Sequence, residues 1–496
     1  MNNQQQIDQI NSSDKWGLPL TAIHGLADEL RGFWERFRGC FKTKTRDTSE
    51  YAYDYLKNQL RMETKRNFTE ISREAGISHQ NLQHFMSNSP WSEKEVYQQV
   101  QEEIKQIAAL QIGGALLLDE SADEKAADKS AGAGRQYNGR LGKVDMSQVG
   151  VFLAYANLTV PQSMWTWIEG ELFLPEAWFD DEHAKLRERL DVPDDIEFKT
   201  KVEIGWELIE RVTENQLPFE VVCCDCLYVC YEWLRSKIRG LNRSYMAEIP
   251  ADTQVYLKKP RLGVPKSKSK RGRRPSKIKV LSSAKPVPVD SLIENKDTIW
   301  QRIRVRHTER GYLCDLFAAR RVWTIYEGKA ISEWLVMRQE SDGKYTYALS
   351  NVPADTKLPQ LAWWKCQRYF IERANQEAKS ELGWDEFEAQ KYLAWQHHLA
   401  LTVLASWFIT RTKYQWACTY GRDPVLLEAL FVPILPALSV ANIRSLRSEV
   451  MPLKQLSPEQ AVEKVIEHLI NRTRSRRSRI KNQPNIREAA EDTGYG

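Results

Sequence analysis

Apolar residues recur every three or four positions over Ala22–Phe37 and Glu50–Leu60, the interval at which side chains share one helix face, so the first hundred residues are expected to be helical. Within them FTEISREAGISHQNLQHFMS, Phe68 to Ser87, splits into two short helical patterns about Ala75-Gly76-Ile77-Ser78. Such a break suits a helix-turn-helix with Ser78 as cap and His79, Gln80 and Gln83 facing outward. A plain helical hairpin would carry the same pattern.

After Ile112 the period shortens. GGALLLDES (Gly113–Ser121), VGVFLAYANL (Val149–Leu158) and SMWTWIEGELFLP (Ser163–Pro175) are short and apolar, as strands are. Lys201–Thr213 is expected as a helix, Pro218–Asp225 as a strand, Tyr231–Ile238 as a helix and Ser244–Ala251 as a strand. Strands in meander order, then alternating with helices, predict a mixed α/β sheet with buried central strands. Alternation returns from Trp300 to Leu349 as antiparallel hairpins, and helical spacing resumes from Pro353 to about Ile470. The expected regions are a helical N-terminal DNA-binding domain (1–105), the first part of an α/β core (106–255), a β-rich insertion with a flexible arm (256–355), the remainder of the core (356–420) and a helical C-terminal region with a basic tail (421–496).

A length of 496 residues allows two to four domains. The polar opening MNNQQQIDQINSSDKWG lacks the order of a secretory signal, and the longest apolar run, Leu399–Ile409, is far short of the roughly 20 residues that span a bilayer. A soluble, cytoplasmic, nucleoid-associated bacterial protein is expected. Four of eight cysteines crowd into CCDCLYVC, Cys223–Cys230, too close for paired zinc ligands and better suited to reduced thiols packed in a strand.

The net charge of +5 conceals an asymmetry. Lys258–Val289 holds twelve Lys or Arg and no acid, which leaves −7 on the rest of the chain. Its Pro, Ser and Gly content predicts a mobile arm centred on Lys270, Arg271, Arg273 and Arg274. Such an arm suits tracking of nucleic-acid phosphates, with affinity that falls steeply with salt; a solubilising linker is the plainer alternative.

Asp119 and Asp225 end apolar strands, where open α/β sheets present their chemistry. RYFIERANQEAKSELG, Arg368–Gly383, places Arg368, Glu372 and Lys379 at offsets of four and seven, one stripe of an amphipathic helix. The stripe is either a solvated ion-pair ladder or a third carboxylate flanked by phosphate-gripping cations. Three converging acids call for a divalent ion, and hard oxygen donors favour Mg2+ or Mn2+. Two such ions about 3.5–4 Å apart serve phosphoryl transfer.

Four blocks carry a resemblance: LLLDES around Asp119; RQYNGRLGKVDMSQVGVFLAY, Arg135–Tyr155; VVCCDCLY around Asp225; and YALSNVPADT through RYFIERANQEAKSELG, Tyr347–Gly383. The chain resembles the DDE transposases of bacterial insertion sequences, family 701 most and family 4 more distantly. The resemblance implies a ribonuclease H-like core interrupted by a β-rich insertion. Asp119, Asp225 and Glu372 would be the catalytic, metal-holding acids.

In the family signature Tyr-x2-Arg-x3-Glu-x6-Lys, Arg368, Glu372 and Lys379 match, but Lys365 stands at the tyrosine position. A second departure is Tyr228-Val229 where Tyr-Gly is usual. Arg135, Tyr137, Arg140 and Lys143 are candidate DNA contacts, with an ordinary charged hairpin as the alternative. Trp300, Trp323 and Trp334 are candidates for stacking on a displaced base. The expected function is DNA cleavage at element ends followed by transfer of the 3′-hydroxyl strand into target DNA, by a homodimer on DNA. A nuclease without strand transfer and a non-catalytic DNA-binding descendant share most of these features.

Overall fold

The computed structural model describes residues 20–159, 163–229, 232–265, 276–308, 311–420 and 439–450, with scattered positions from 459 to 473. In chain order come helices α1 (Leu20–Glu35), α2 (Ser49–Arg61), α3 (Phe68–Ala75), α4 (His79–Ser87) and α5 (Glu93–Lys105). Strands β1 (Gly114–Glu124), β2 (Gly134–Asn138), β3 (Lys143–Asn157) and β4 (Met164–Phe173) precede α6 (Lys201–Glu214). Next are β5 (Val221–Cys224), α7 (Cys226–Val229), α8 (Glu232–Gly240) and β6 (Ser244–Ile249). Strands β7 (Gln301–Thr308), β8 (Gly311–Tyr326), β9 (Lys329–Gln339) and β10 (Tyr345–Ser350) lead to α9 (Leu358–Lys365), α10 (Tyr369–Ser380) and α11 (Tyr392–Tyr420). No helix among the described residues is long and apolar enough to cross a membrane.

The chain divides into two compact units, one comprising residues 1–114, 120–218 and 371–496, the other residues 115–119 and 219–370. In the first unit, α11 is apolar around its whole circumference, the signature of a helix buried on every side. Leu399, Leu401, Val403, Leu404 and Trp407 have no exposed surface. Its few polar groups are bonded: Tyr55 to His398 Nδ1 at 2.9 Å, Gln59 to Thr402 at 2.8 Å, and Trp407 Nε1 to Glu103 at 2.7 Å. Beside it Phe152 on β3 stacks on Trp167 of β4 with ring centroids 4.3 Å apart.

The N-terminal pair forms where the break was expected. Asn67 caps α3, its side chain accepting from Glu70 N–H, and Gly76 ends that helix at φ +68°, a left-handed conformation that suits glycine. Ser78 occupies the position before α4 but makes no side-chain capping bond. His79, Gln80 and Gln83 are exposed, while Leu82, Phe85 and Met86 are buried.

In the second unit, residues 115–118 of β1 pair with β5 in parallel, and β5 pairs with β6 in parallel. Strand β10 joins β6 antiparallel, and β9, β8 and β7 follow as an antiparallel meander. The sheet is therefore mixed and the fold α/β. Valine and cysteine side chains fill β5, all four residues buried, because a central strand covered on both faces has no polar side. The expected helix Tyr231–Ile238 is found as Glu232–Gly240, and the strand expected from Val149 starts six residues earlier at Lys143.

Candidate active site

The parallel register fixes the chemistry of the second unit. Leu118 is opposite Cys224, and Cys224 is opposite Ala247. One residue further, Asp119, Asp225 and Glu248 make the next row. Neighbouring strands lie about 4.8 Å apart, and alternation turns this row away from the apolar row before it. Three carboxylates thus end three adjacent parallel strands, where open sheets carry their sites. Asp225 also accepts from Leu227 N–H at 2.9 Å, which starts the single turn α7. Val229 closes that turn, and a right-handed helical turn makes no demand for glycine.

Two cations answer the row. Lys365, at the end of α9 with its side chain fully buried, reaches Glu248 Oε1 at 2.6 Å. Arg368 reaches Glu248 Oε2 through Nε at 2.9 Å and stands 3.7 Å from Asp119 Oδ2 through Nη1. Burial alone would push the Glu248 carboxyl up, but Lys365 and then Arg368 outweigh it and hold it below the usual carboxylate range. Cys223 and Cys224 are free thiols pushed well up by burial, so they offer no soft ligand.

The stripe expected on one helix is divided. Helix α10 starts at Tyr369, and Arg368 lies in the turn that follows α9 rather than on the helix. Glu372 is in the first turn of α10 and exposed. From Ile371 onward the helix belongs to the first unit, where β4 anchors it. Trp167 Nε1 donates to Asn375 at 2.9 Å and Trp165 Nε1 to Glu377 at 2.8 Å. Lys379 donates to the Ala122 carbonyl at 2.7 Å, and burial holds its ammonium below the usual lysine range against the pull of Asp123. Its one printed bond is thus to protein backbone.

Arg135 and Tyr137 project from the exposed face of β2, alternating with buried Gln136 and Asn138. Arg140 is ion-paired with Glu124, and Lys143 with Asp145 at 2.8 Å. Lys270, Arg271, Arg273 and Arg274 lie outside the described residues, as does nearly all of the basic tail. Trp300 and Trp334 are half-buried and donate to the Ile293 and Pro353 carbonyls at 3.3 and 3.0 Å, and Trp323 has Lys259 5.2 Å from its ring.

Asp119, Asp225 and Glu372 supply only hard oxygen donors, which fit Mg2+ or Mn2+. Among the described residues no group of three or more His, Cys, Asp or Glu side chains is arranged to hold a metal ion. Sequence reasoning missed Glu248, whose one signal is its place in a strand parallel to the one that ends at Asp225.

The family model of the DDE superfamily endonucleases matches residues 36–312. This chain belongs to that family. The match takes in both strand-end aspartates, and Glu372 lies beyond it. Over 214 residues, 42% of this chain, the sequence is 30% identical to the probable transposase for insertion sequence element IS701 of Microchaete diplosiphon. That alignment spans 50% of the relative, so the chain matches about half of its length.

Proposed function

We propose that this DDE endonuclease is a DNA transposase that cuts at the ends of an insertion sequence and transfers the freed 3′-hydroxyl strand into target DNA. The observation that carries the proposal is the row of Asp119 and Asp225 on adjacent parallel strands, with the Arg368 guanidinium beside Asp119. Parallel strands ending in acids, followed by an antiparallel meander, fit a ribonuclease H-like core with a β-rich insertion.

Asp119, Asp225 and Glu372 are the catalytic carboxylates and would hold the divalent ions. When bound, Mg2+ or Mn2+ would lower the pKa of an attacking hydroxyl and neutralise charge at phosphorus. The guanidinium of Arg368 orients a phosphate of the scissile strand. Arg135, Tyr137, Arg140 and Lys143 and the arm around Lys270, Arg271, Arg273 and Arg274 track the flanking backbone, and Lys379 holds α10 in place. Hydrolysis and strand transfer are both in-line attacks on phosphorus, so one set of carboxylates serves both. Two ends must be held together, which calls for a homodimer on DNA.

Purified protein with terminal-repeat DNA and Mg2+ should give nicks, then strand-transfer products. Asp119→Asn and Glu372→Gln should each lower nicking by at least about a hundredfold, given what a metal-held carboxylate contributes. Full activity in either variant would remove the mechanism, and nicks without joined products would leave a nuclease.

A further inference from the structure

The strand row contains a carboxylate that the DDE triad does not use. Glu248 divides its two oxygens between two cations, Oε1 to Lys365 Nζ at 2.6 Å and Oε2 to Arg368 Nε at 2.9 Å. The same guanidinium presents Nη1 to Asp119 at 3.7 Å. All four residues belong to one compact unit. An arginine held by its Nε keeps a fixed plane, so its Nη edge is aimed rather than free to swing. Here that edge is aimed at the end of β1.

We propose that Glu248 is a positioning residue for strand cleavage: it fixes the Arg368 guanidinium by its Nε so that the Nη edge meets a scissile-strand phosphate beside Asp119. Lys365 offsets the charge that Glu248 adds to an already acidic row, and so lets a third carboxylate stay ionised there. This rests on the transposase reading for the identity of the phosphate, but the orientation of Arg368 stands apart from it. Without Glu248 the row would hold two acids and Arg368 only the 3.7 Å contact to Asp119. That contact is longer than a hydrogen bond and would not define the plane of the side chain.

The rival explanation is that Glu248 exists only to neutralise Lys365, whose side chain has no exposed surface. The two are separated by removing both partners together. A buried ion pair exchanged for apolar side chains of similar volume often leaves stability unchanged. Glu248→Met/Lys365→Met should therefore melt near the wild type, while nicking at saturating end DNA falls at least about tenfold, as loss of an orienting contact does. DNA affinity should change less than the rate. Glu248→Gln/Lys365→Met keeps an acceptor for Nε and should recover most of that rate. Wild-type nicking by Glu248→Met/Lys365→Met would overturn the proposal.

A second measurement needs no activity and no variant of Glu248. In a spectrum of the wild-type protein labelled at arginine Nε, the Arg368 signal, assigned by its loss in Arg368→Lys, should exchange slowly with solvent. Fast exchange of that Nε–H would overturn the proposal even if the doubly substituted proteins failed to fold. If the wild type does not nick terminal-repeat DNA at all, the transposase reading fails, while a slow Nε–H still supports the orientation of Arg368.

Discussion

Two buried glutamates, one in each unit, sit against arginine and end in opposite states. Glu248 on β6 holds two cations, and its carboxyl stays below the usual range. Glu169 on β4 is 3% exposed and has Arg211 as its only listed ion-pair partner among the described residues, and Arg211 also bonds Glu171 at 3.1 Å. Burial pushes the Glu169 carboxyl above the usual range, and Arg211 only partly restrains the rise. The contrast shows that distance to a cation does not decide the charge of a buried acid. The number of cations per carboxylate does: two for one at Glu248, one for two at Glu169 and Glu171. A row of acids meant for phosphate chemistry must remain ionised, and the second unit supplies the cations that keep it so.

The largest effect should come from unbalancing the richer site. Glu248→Gln leaves Lys365 charged and fully buried with no carboxylate, and breaking one side of a buried pair costs about 3–5 kcal/mol. Thermal or urea unfolding should register that loss. A variant that melts with the wild type would mean that Lys365 discharges or finds water, and the comparison would fail on its stronger side.

A smaller effect, dependent on pH, is expected at the poorer site. A carboxyl whose pKa is raised on folding contributes stability that is present below the unfolded pKa and lost as pH rises through the folded one. The wild type has therefore lost the Glu169 contribution at neutral pH, whereas Glu169→Gln has nothing to lose there. The melting temperature of Glu169→Gln minus that of the wild type should be larger at about pH 7.5 than at about pH 4. A difference independent of pH would show that Arg211 keeps Glu169 ionised throughout.

What the sequence revealed follows the same division. Helices such as Lys201–Glu214, and strands such as Val221–Cys224, were legible because each has one dominant environment along its length. The polar start of β3 was not, since Lys143, Val144 and Asp145 belong to an exposed hairpin without an apolar face. Asp119 and Asp225 stood out as acids closing apolar runs. Glu248 did not, because in SYMAEIPA it is one polar residue in an alternating strand, and only pairing with β5 brings it level with them. Lys365 looked like a lost tyrosine, whereas it is the partner of that unseen acid. Helical spacing carried Arg368 onto the helix with Glu372, but spacing cannot locate the turn between α9 and α10. The anchors Asn375 and Glu377 were equally hidden, because their partners are indoles of β4, more than two hundred residues away.

The least effect on stability is expected where the same kind of pair is left in water. Lys143 and Asp145 lie 2.8 Å apart, close to the Lys365–Glu248 distance, yet both are well exposed. Water and salt screen such a pair, so Lys143→Ala should leave the melting temperature unchanged within error. Its effect should appear on DNA instead. If Lys143 meets a phosphate, the slope of log affinity against log salt should become shallower by about one, with little change in sequence preference. Asp145→Asn should shift affinity the other way, because it frees the ammonium from its neighbour. An unchanged salt slope in Lys143→Ala would take the β2–β3 hairpin off the path of DNA, and would leave the exposed pair as a plain counterpart to the buried one.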